Sequence, residues 1–276
     1  VNRRDPAARA SVEAPIGVFD SGIGGLTVVR ELMHQLPGER IIYFGDTARV
    51  PYGPKSPDTV CRYSREIARF LGQQEVKAIV IACNTATAHA LPALREELSI
   101  PVVGVVEPGA RAAVRASNGG HIGVIGTAGT IRSGAYERAI RALDPDARIT
   151  ARACPLFVPL VEEGWIDHAV THQIAREYLK PLIDEQINAL VLGCTHYPLL
   201  KSMLCRELGG AVQLIDSAAE TAAEIGRVLK ERHIEASAGS EPKHRFVASD
   251  DPLQFLQLGQ RFLGNAIDGV EIHTFV

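Results

Sequence analysis

Two of the five cysteines stand at the same kind of place in the sequence. Cys83 follows the apolar run AIVIA, Cys194 follows ALVLG, and a helix-like pattern begins after each. Free backbone N–H groups and the helix dipole at such a position favour an anion, so both places are expected to help a thiol lose its proton. The remaining cysteines are expected to be packing residues: Cys61, Cys154 and Cys205.

Two matched thiols that face one small ligand predict racemisation. One group removes a proton from a stereocentre while the other delivers a proton to the opposite face. The unperturbed pKa of a cysteine, about 8.5, makes both the thiolate and the thiol accessible near cellular pH. An α-proton beside a carboxylate is very weakly acidic, so such a site also needs preorganised hydrogen-bond donors and exclusion of water.

The elements that must position these thiols are predicted from eight short apolar runs that alternate with amphipathic stretches. The runs are IGVF, IIYFG, AIVIA, VVGVV, HIGVIG, RITARA, ALVLG and VQLID. None shows the alternation of a half-exposed strand, which favours an α/β fold with mainly parallel sheets covered on both faces. Towards the end of the chain, ASAGSEP is expected to form a loop, DPLQFLQLGQRFLG a helix and GVEIHTF a terminal strand.

An internal repeat predicts how the thiols come together. IGVFDSGIGGLT resembles IGVIGTAGTIRS, and each is followed later by a strand that ends in a cysteine. We therefore expect two pseudo-symmetric three-layer lobes with the active site in the cleft between them. Residues 16–107 with 217–276 would form lobe one, which carries Cys83, and residues 108–216 would form lobe two, which carries Cys194. Residues 1–15 are expected to be a disordered or frayed tail.

Composition narrows the class of protein. The chain has 276 residues, 46% apolar and 22% charged, enough for one large core or two modest ones. A net charge of −3 and the lack of a long Lys/Arg block argue against nucleic-acid or membrane partners, so a small-molecule partner is expected. The cysteines form no C-x-x-C pair, which predicts free thiols in a cytoplasmic protein and argues against structural zinc.

Six blocks of sequence, in order, closely resemble the bacterial glutamate racemases. They are GVFDSGIGGLTV, FGDTARVPYGPKS, IACNTATAHALP, IGTAGTIRSGAY, CPLFVPLVEEG and LVLGCTHYPLL. The resemblance implies interconversion of L- and D-glutamate without pyridoxal phosphate or metal. It implies that the D-glutamate is used for peptidoglycan, and hence for cell-wall biogenesis and cell shape. It also implies a homodimer. It also implies that Cys83 works on D-glutamate and Cys194 on L-glutamate.

The resemblance assigns further residues to the substrate. Ser21 would donate a hydrogen bond, and Asp20 would lie near Cys83 and the substrate ammonium group. The alternative for Asp20 is a helix cap, whereas a nucleotide loop is disfavoured because DSGIGG lacks the G-x-G-x-x-G spacing. Tyr52 and Gly53 would hold a carboxylate through backbone N–H groups, although the bare sequence is that of a Pro-Gly turn.

Neutral hydrogen-bond donors complete the expected contacts with the substrate. Asn84, Thr85, Thr127, Thr130 and Thr195 would bind substrate without adding charge, although helix capping explains some of them equally well.

Three acid–base side chains are expected beside or behind the substrate. His196 would assist Cys194 or orient the substrate. By analogy, Glu162 lies on the Cys194 side as an assisting acid, and Asp46 lies behind the substrate contacts. His89 and Glu107 are expected to be structural.

Other functions fit parts of this pattern. An aspartate or hydantoin racemase would share the thiols and differ in the pocket for the side-chain end, but CNTAT and CTHYPLL favour glutamate. A redox or zinc protein would need closer ligand spacing. A binding module would explain a cleft but not two thiols. Pyridoxal phosphate chemistry needs a Schiff-base lysine, and no lysine stands in a convincing setting for one.

Overall fold

The structure is a computed structural model that describes residues 12–236, 242–263 and 267–275. Its strands are β1 (Ile16–Asp20), β2 (Ile41–Gly45), β3 (Ala78–Ile81), β4 (Val102–Gly104), β5 (His121–Gly126), β6 (Arg148–Ala153), β7 (Ala189–Gly193), β8 (Gln213–Ile215), β9 (Arg245–Ala248) and β10 (Glu271–Ile272). Its helices are α1 (Leu26–Gln35), α2 (Pro57–Gln73), α3 (Asn84–Glu97), α4 (Val106–Ser117), α5 (Ala128–Arg132), α6 (Ala135–Leu143), α7 (Phe157–Glu162), α8 (Ala169–Asp184), α9 (Lys201–Glu207), α10 (Ser217–Glu231) and α11 (Pro252–Leu263).

The strands form two sheets in which every pairing is parallel. One sheet has the order β10-β9-β2-β1-β3-β4, and the other has the order β6-β5-β7-β8. The segment β2-β1-β3-β4 of the first sheet is thus repeated as β6-β5-β7-β8 in the second. This confirms the α/β fold with two pseudo-symmetric lobes and accounts for the repeat in the sequence.

All eight predicted strands are present, and each central one is buried along its length because both faces of the sheet are covered. The predicted C-terminal helix is α11. Two details differ from expectation. The strand β9 was not predicted, and GVEIHTF contributes only the two exposed residues of β10 at the sheet edge. The predicted loop ASAGSEP falls mostly on residues 237–241, which lie outside the described residues.

The predicted tail also falls mainly outside the described residues, which begin at residue 12. Its last part is anchored by Lys77, whose side chain donates to the carbonyl of Val12 at 2.7 Å and whose backbone N–H donates to Pro15 at 2.9 Å. Lys77 is fully buried and pairs with Glu39 at 2.6 Å. The predicted lobe boundaries remain a prediction. Within the described residues, no helix has the length and apolar character of a membrane span.

Parallel strands place their carboxyl ends at one edge of each sheet, and the candidate residues follow those ends. Asp20 closes β1 and Cys83 follows β3 in the first sheet, whereas Thr127 follows β5 and Cys194 follows β7 in the second. Cys83 is also the N-cap of α3, and Thr127 is the N-cap of α5. In both sheets, therefore, polar side chains are positioned in the same way, at the carboxyl ends of parallel strands.

The loop after β1 packs directly against the loop after β7 at Gly24. A Cβ atom on Gly24 would lie 2.3 Å from Oγ1 of Thr195 and 2.6 Å from Nδ1 of His196, far inside contact distance. Nearby, the hydroxyl of Thr27 donates to the carbonyl of Thr195 at 3.4 Å. Only glycine allows the two lobes to approach this closely.

We expect Gly24→Ala to lower the free energy of unfolding by about 1–3 kcal/mol, because the added methyl group forces the two loops apart. Gly72→Ala is the matched control. Gly72 lies inside α2, and a methyl group at this position would have no atom within 4 Å, so alanine should stabilise the helix by about 0.5–1 kcal/mol. Urea unfolding of both variants measures the difference, and equal stability of the two would contradict the close approach at Gly24.

Candidate active site

Both strand-end thiols line one small cavity of about 30 Å³ between the two sheets. Its polar and thiol lining consists of Ser21, Tyr52, Gly53, Cys83, Asn84, Thr85, Thr127, Cys194, Thr195 and His196, and its apolar lining of Val50, Pro51 and Val158. The structure thus brings together ten of the thirteen predicted site residues at one cavity. A larger cavity of about 410 Å³ between α3, α4 and α6 contains neither thiol, so it is not the candidate site.

Cys83 lies in an environment that keeps its proton. Its Sγ accepts a hydrogen bond from the N–H of Ala86 at 3.4 Å and lies 3.7 Å from the hydroxyl of Ser21. Burial, followed by the negative charge of Asp20, outweighs these contacts and raises the pKa of Cys83 to about 12. The expectation that the helix end promotes a thiolate is therefore wrong for Cys83, because burial and Asp20 favour the protonated thiol.

Cys194 lies in a different environment. No α-helix begins at it, since a short 3-10 turn at Tyr197–Leu200 precedes α9. Its Sγ is 3.9 Å from Nδ1 of His196, and Nε2 of that ring is 3.0 Å from a carboxylate oxygen of Glu162.

Two neighbours of the His196 ring favour its protonated form. Burial by itself lowers the pKa of His196, but the hydrogen bonds with Cys194 and Glu162 prevail and raise it to about 10. Glu162 does not line the cavity and acts through the imidazole. The imidazolium places a positive charge beside Cys194, whereas Cys83 has a carboxylate nearby.

Asp20 also lies behind the cavity rather than on its wall. It is fully buried, and its carboxylate accepts from the N–H of Gly22 at 3.0 Å and from the hydroxyl of Thr195 at 3.4 Å. Burial raises its pKa, although the charge of His196 and the backbone hydrogen bonds oppose that rise. A carboxylate here can hold a cation that enters the cavity.

Three hydroxyl groups from both lobes form a hydrogen-bonded triangle at one side of the cavity. Oγ1 of Thr85 lies 2.8 Å from Oγ1 of Thr127 and 3.1 Å from that of Thr130, and the last two are 3.1 Å apart. Thr130 is the third predicted residue that does not line the cavity. Because hydroxyls can both donate and accept, the triangle can reorient towards an anion without a net charge.

Asp46 holds the loop that carries Tyr52 and Gly53. Its carboxylate binds the hydroxyl of Tyr52, the guanidinium of Arg49 at 2.7 Å and the hydroxyl of Ser249 at 2.8 Å. The loop in turn packs on the other lobe, since a Cβ on Gly53 would lie 2.8 Å from Cβ of Thr127. Asp46 therefore supports the cavity wall from behind.

Several other predicted or overlooked residues are placed by the structure. His89 and Glu107 lie outside the cavity, and Glu107 pairs with Arg95 at 2.8 Å. Among the cysteines expected to pack, Cys154 is buried and Cys61 is partly buried, but Cys205 is exposed, so the packing prediction is wrong for Cys205. Sequence reasoning missed Tyr136, whose hydroxyl binds the side chain of Asn84.

Among the described residues, no three His, Cys, Asp or Glu side chains are arranged to hold a metal ion. The predicted absence of metal and of an organic cofactor remains a prediction.

Comparisons with known proteins identify the relatives of this chain. A family model described as Asp/Glu/Hydantoin racemase matches residues 16–225. The chain is 53% identical over 255 residues to a curated glutamate racemase of Geobacter metallireducens, which covers 92% of this chain and 94% of that protein.

Solved structures of glutamate racemases also match this chain. The glutamate racemase isoform RacE1 of Bacillus anthracis superposes with a TM-score of 0.90 at 46% identity, covering 95% of this chain and 97% of that one. A glutamate racemase of Francisella tularensis in complex with D-glutamate superposes with a TM-score of 0.90 at 41% identity, covering 95% and 98%.

We expect Glu162→Gln to lower the pKa of His196, because the neutral amide no longer stabilises the imidazolium. NMR titration of labelled histidine, assigned with a His196→Gln variant, measures this. The folded-state pKa of His196 lies above the usual 6.5, so the stabilisation that depends on its charge is complete below about pH 6.5 and is lost as the pH rises through the raised value.

The matched control for this titration is Glu163→Gln. Glu163 is the exposed neighbour of Glu162 at the end of α7 and makes no contact with His196. An unchanged pKa of His196 in Glu162→Gln, or an equal change in Glu163→Gln, would show that the Glu162 contact does not hold the proton.

Proposed function

Because the chain belongs to the Asp/Glu/Hydantoin racemase family, we propose that it interconverts L-glutamate and D-glutamate with Cys83 and Cys194 as its two acid–base groups. The substrate is supported by the names of the close relatives and by the D-glutamate complex of the Francisella tularensis protein. The single observation that carries the mechanism is that the two thiols line one cavity. In this proposal residues 16–107 with 217–276 supply Cys83, and residues 108–216 supply Cys194.

The two environments fit the two roles in the direction from L- to D-glutamate. The thiolate of Cys194, beside the positive charge of His196, takes the α-proton of L-glutamate, and the electron pair of the broken C–H bond stays on the α-carbon. The thiol of Cys83 then delivers its proton to the opposite face, which gives D-glutamate and leaves a thiolate at Cys83. The reverse reaction runs from that state with the roles exchanged.

The reverse direction requires Cys83 to become a thiolate despite the nearby carboxylate of Asp20. The substrate ammonium group can offset that negative charge if it binds beside Asp20, because an opposite charge within a few ångströms favours the ionised thiol. Asp20 therefore serves as the counterion of the substrate rather than as a base of its own.

The carbanion intermediate and the two carboxylates of glutamate need donors in a dry site. Backbone N–H groups of Tyr52 and Gly53 and the hydroxyl of Ser21 would supply donors from the first sheet's lobe. The remaining proposed contacts are the side chains of Asn84, Thr85, Thr127, Thr130, Thr195 and His196. Most of these groups are neutral, so they can stabilise the developing charge without quenching a thiolate.

The size of the cavity implies that the lobes separate to admit substrate. A volume of about 30 Å³ holds no more than about two water molecules, each of which needs roughly 10–15 Å³. Glutamate is far larger, so the arrangement described here is a closed one. Closure would expel water from the site, which strengthens every charge and hydrogen bond within it.

The physiological role that follows is supply of D-glutamate to peptidoglycan synthesis, and thereby to cell-wall biogenesis and cell shape. The proposed enzyme is a cytoplasmic homodimer that uses neither pyridoxal phosphate nor metal. These points rest on the resemblance to glutamate racemases and on the free thiols of the chain.

We expect Cys83→Ala and Cys194→Ala each to lower kcat for racemisation of glutamate by at least about a hundredfold, because each removes one of the two proton carriers. Cys205→Ala is the matched control, since Cys205 is exposed on α9 and is not part of the cavity lining. Circular dichroism with L-glutamate, D-glutamate and, separately, L-aspartate measures the rates. A single cysteine variant that retains the wild-type rate would refute the paired role, and conversion of aspartate alone would refute the substrate.

An isotopic experiment tests the two-base mechanism directly. When the wild-type protein converts L-glutamate in deuterated water without added cofactor, deuterium should enter the D-glutamate product before it enters the remaining L-glutamate. The reason is that the proton delivered comes from a second thiol that has exchanged with solvent. NMR and mass spectrometry of the separated isomers follow the label, and early equal labelling of both pools would indicate a single mobile base.

A further inference from the structure

The amide of Asn84 has one partner at its oxygen and none at its nitrogen. Asn84 is 3% exposed, begins α3 and lines the cavity beside Cys83. Its Oδ1 accepts a hydrogen bond from the hydroxyl of Tyr136 at 2.7 Å. Its Nδ2, by contrast, is buried without a partner among the described residues. Buried donors are normally paired, so this one is suited to an acceptor that enters the cavity.

The orientation of that amide depends on the direction of the Tyr136 hydroxyl. The Tyr136 hydroxyl donates its proton to the amide oxygen, Oδ1 of Asn84. That contact leaves Nδ2 as the end of the amide without a partner among the described residues. The Tyr136–Asn84 hydrogen bond therefore determines which end of the amide faces the cavity. A flipped amide would present an oxygen there and repel a carboxylate.

Tyr136 is fixed by the lobe that does not carry Asn84. It lies on α6, is 1% exposed, and its ring edge packs at Gly193, where a Cβ atom would lie 3.1 Å from Cε2. Gly193 is the last residue of β7, immediately before Cys194. Asn84 immediately follows Cys83 at the end of the other sheet. The hydrogen bond therefore joins the two thiol-bearing strand ends, and it requires the lobes to be together.

We propose that Tyr136 is a positioning residue that aims the amide of Asn84 at a carboxylate oxygen of the substrate when the lobes close. This inference rests on the proposed function, since the acceptor is a carboxylate of glutamate. Tyr136 does not touch the reacting atoms. The substrate contact made by Asn84 would depend on closure, because separation of the lobes would break the Tyr136 hydrogen bond and release the amide to rotate.

A double-mutant cycle tests the proposal with the wild type, Tyr136→Phe, Asn84→Ala and the double variant. Phenylalanine keeps the ring that packs on Gly193 and removes only the hydroxyl. We expect Tyr136→Phe to lower kcat/KM for glutamate about three- to tenfold, mainly through a higher KM, since one aligned hydrogen bond is at stake. In the Asn84→Ala background the same change should alter kcat/KM by less than about twofold.

The matched control for the cycle is Tyr178→Phe. Tyr178 is a partly buried tyrosine on α8 whose hydroxyl accepts from the N–H of Leu156 at 3.4 Å, and its substitution should leave kcat/KM unchanged. Circular dichroism checks that Tyr136→Phe is folded. A loss of activity that comes from the fold alone would appear equally in the Asn84→Ala background, so the cycle separates it from the loss of the hydrogen bond.

The outcomes separate this inference from the proposed function. A wild-type protein that converts neither isomer of glutamate would refute the proposed function. An active wild type whose kcat/KM falls equally with Tyr136→Phe in both backgrounds would show that Tyr136 only supports the fold. No fall in either background would show that the hydroxyl has no effect on Asn84. Either of the last two results overturns the proposal while leaving the racemase intact.

Discussion

The buried carboxylate of Asp20 is the charge around which the rest of the site is arranged. It closes the first strand, has no exposed surface and lies where the two lobes meet. After burial, its charge is the next cause of the raised pKa of Cys83, and it also interacts electrostatically with the imidazole of His196. A negative charge in that position cannot be left without partners. The N–H of Gly22 and the hydroxyl of Thr195 are its hydrogen-bond partners, and its charge adds to the effect of burial on the pKa of Cys83.

Closeness of the lobes is the second requirement of this arrangement. The hydroxyl of Thr195 reaches Asp20 only because a glycine at position 24 lets the loop after β1 approach the loop after β7. The threonine triangle and the Tyr136–Asn84 hydrogen bond join the same two lobes at other points. The seam also contains apolar side chains, since one cluster of buried residues includes Ile23 and Leu26 of the first lobe and Leu192 and Tyr197 of the second. Separation of the lobes would therefore expose apolar surface as well as exchange these hydrogen bonds for water.

Sequence alone predicts the strands and the residues that meet at the cavity better than it predicts the pKa values of the site. The eight predicted strands are recognisable because runs such as AIVIA and HIGVIG are apolar throughout. In contrast, the apolar part of β9 is limited to the residues FVA, which stand between the polar sequences KHR and SDD, so it carries little signal. Cys83 and Cys194 are identifiable from their places after matching strands. The pKa of Cys83 is not, because burial and the distance to Asp20 exist only once both strands are folded together. Tyr136 is likewise hidden, since a tyrosine on an amphipathic helix has the pattern of an ordinary core residue.

The repeated strand order β2-β1-β3-β4 and β6-β5-β7-β8 has an evolutionary consequence. Such an order is what duplication and fusion of one ancestral α/β unit would leave behind. In a symmetric dimer of identical units, two identical cysteines would face each other across the twofold axis. Because their surroundings would be the same, the dimer could not distinguish the two mirror-image forms of a ligand. Fusion into one polypeptide removes that symmetry constraint. An acid could then evolve beside one sulfur and an imidazole beside the other, so that the two sulfurs no longer share one environment.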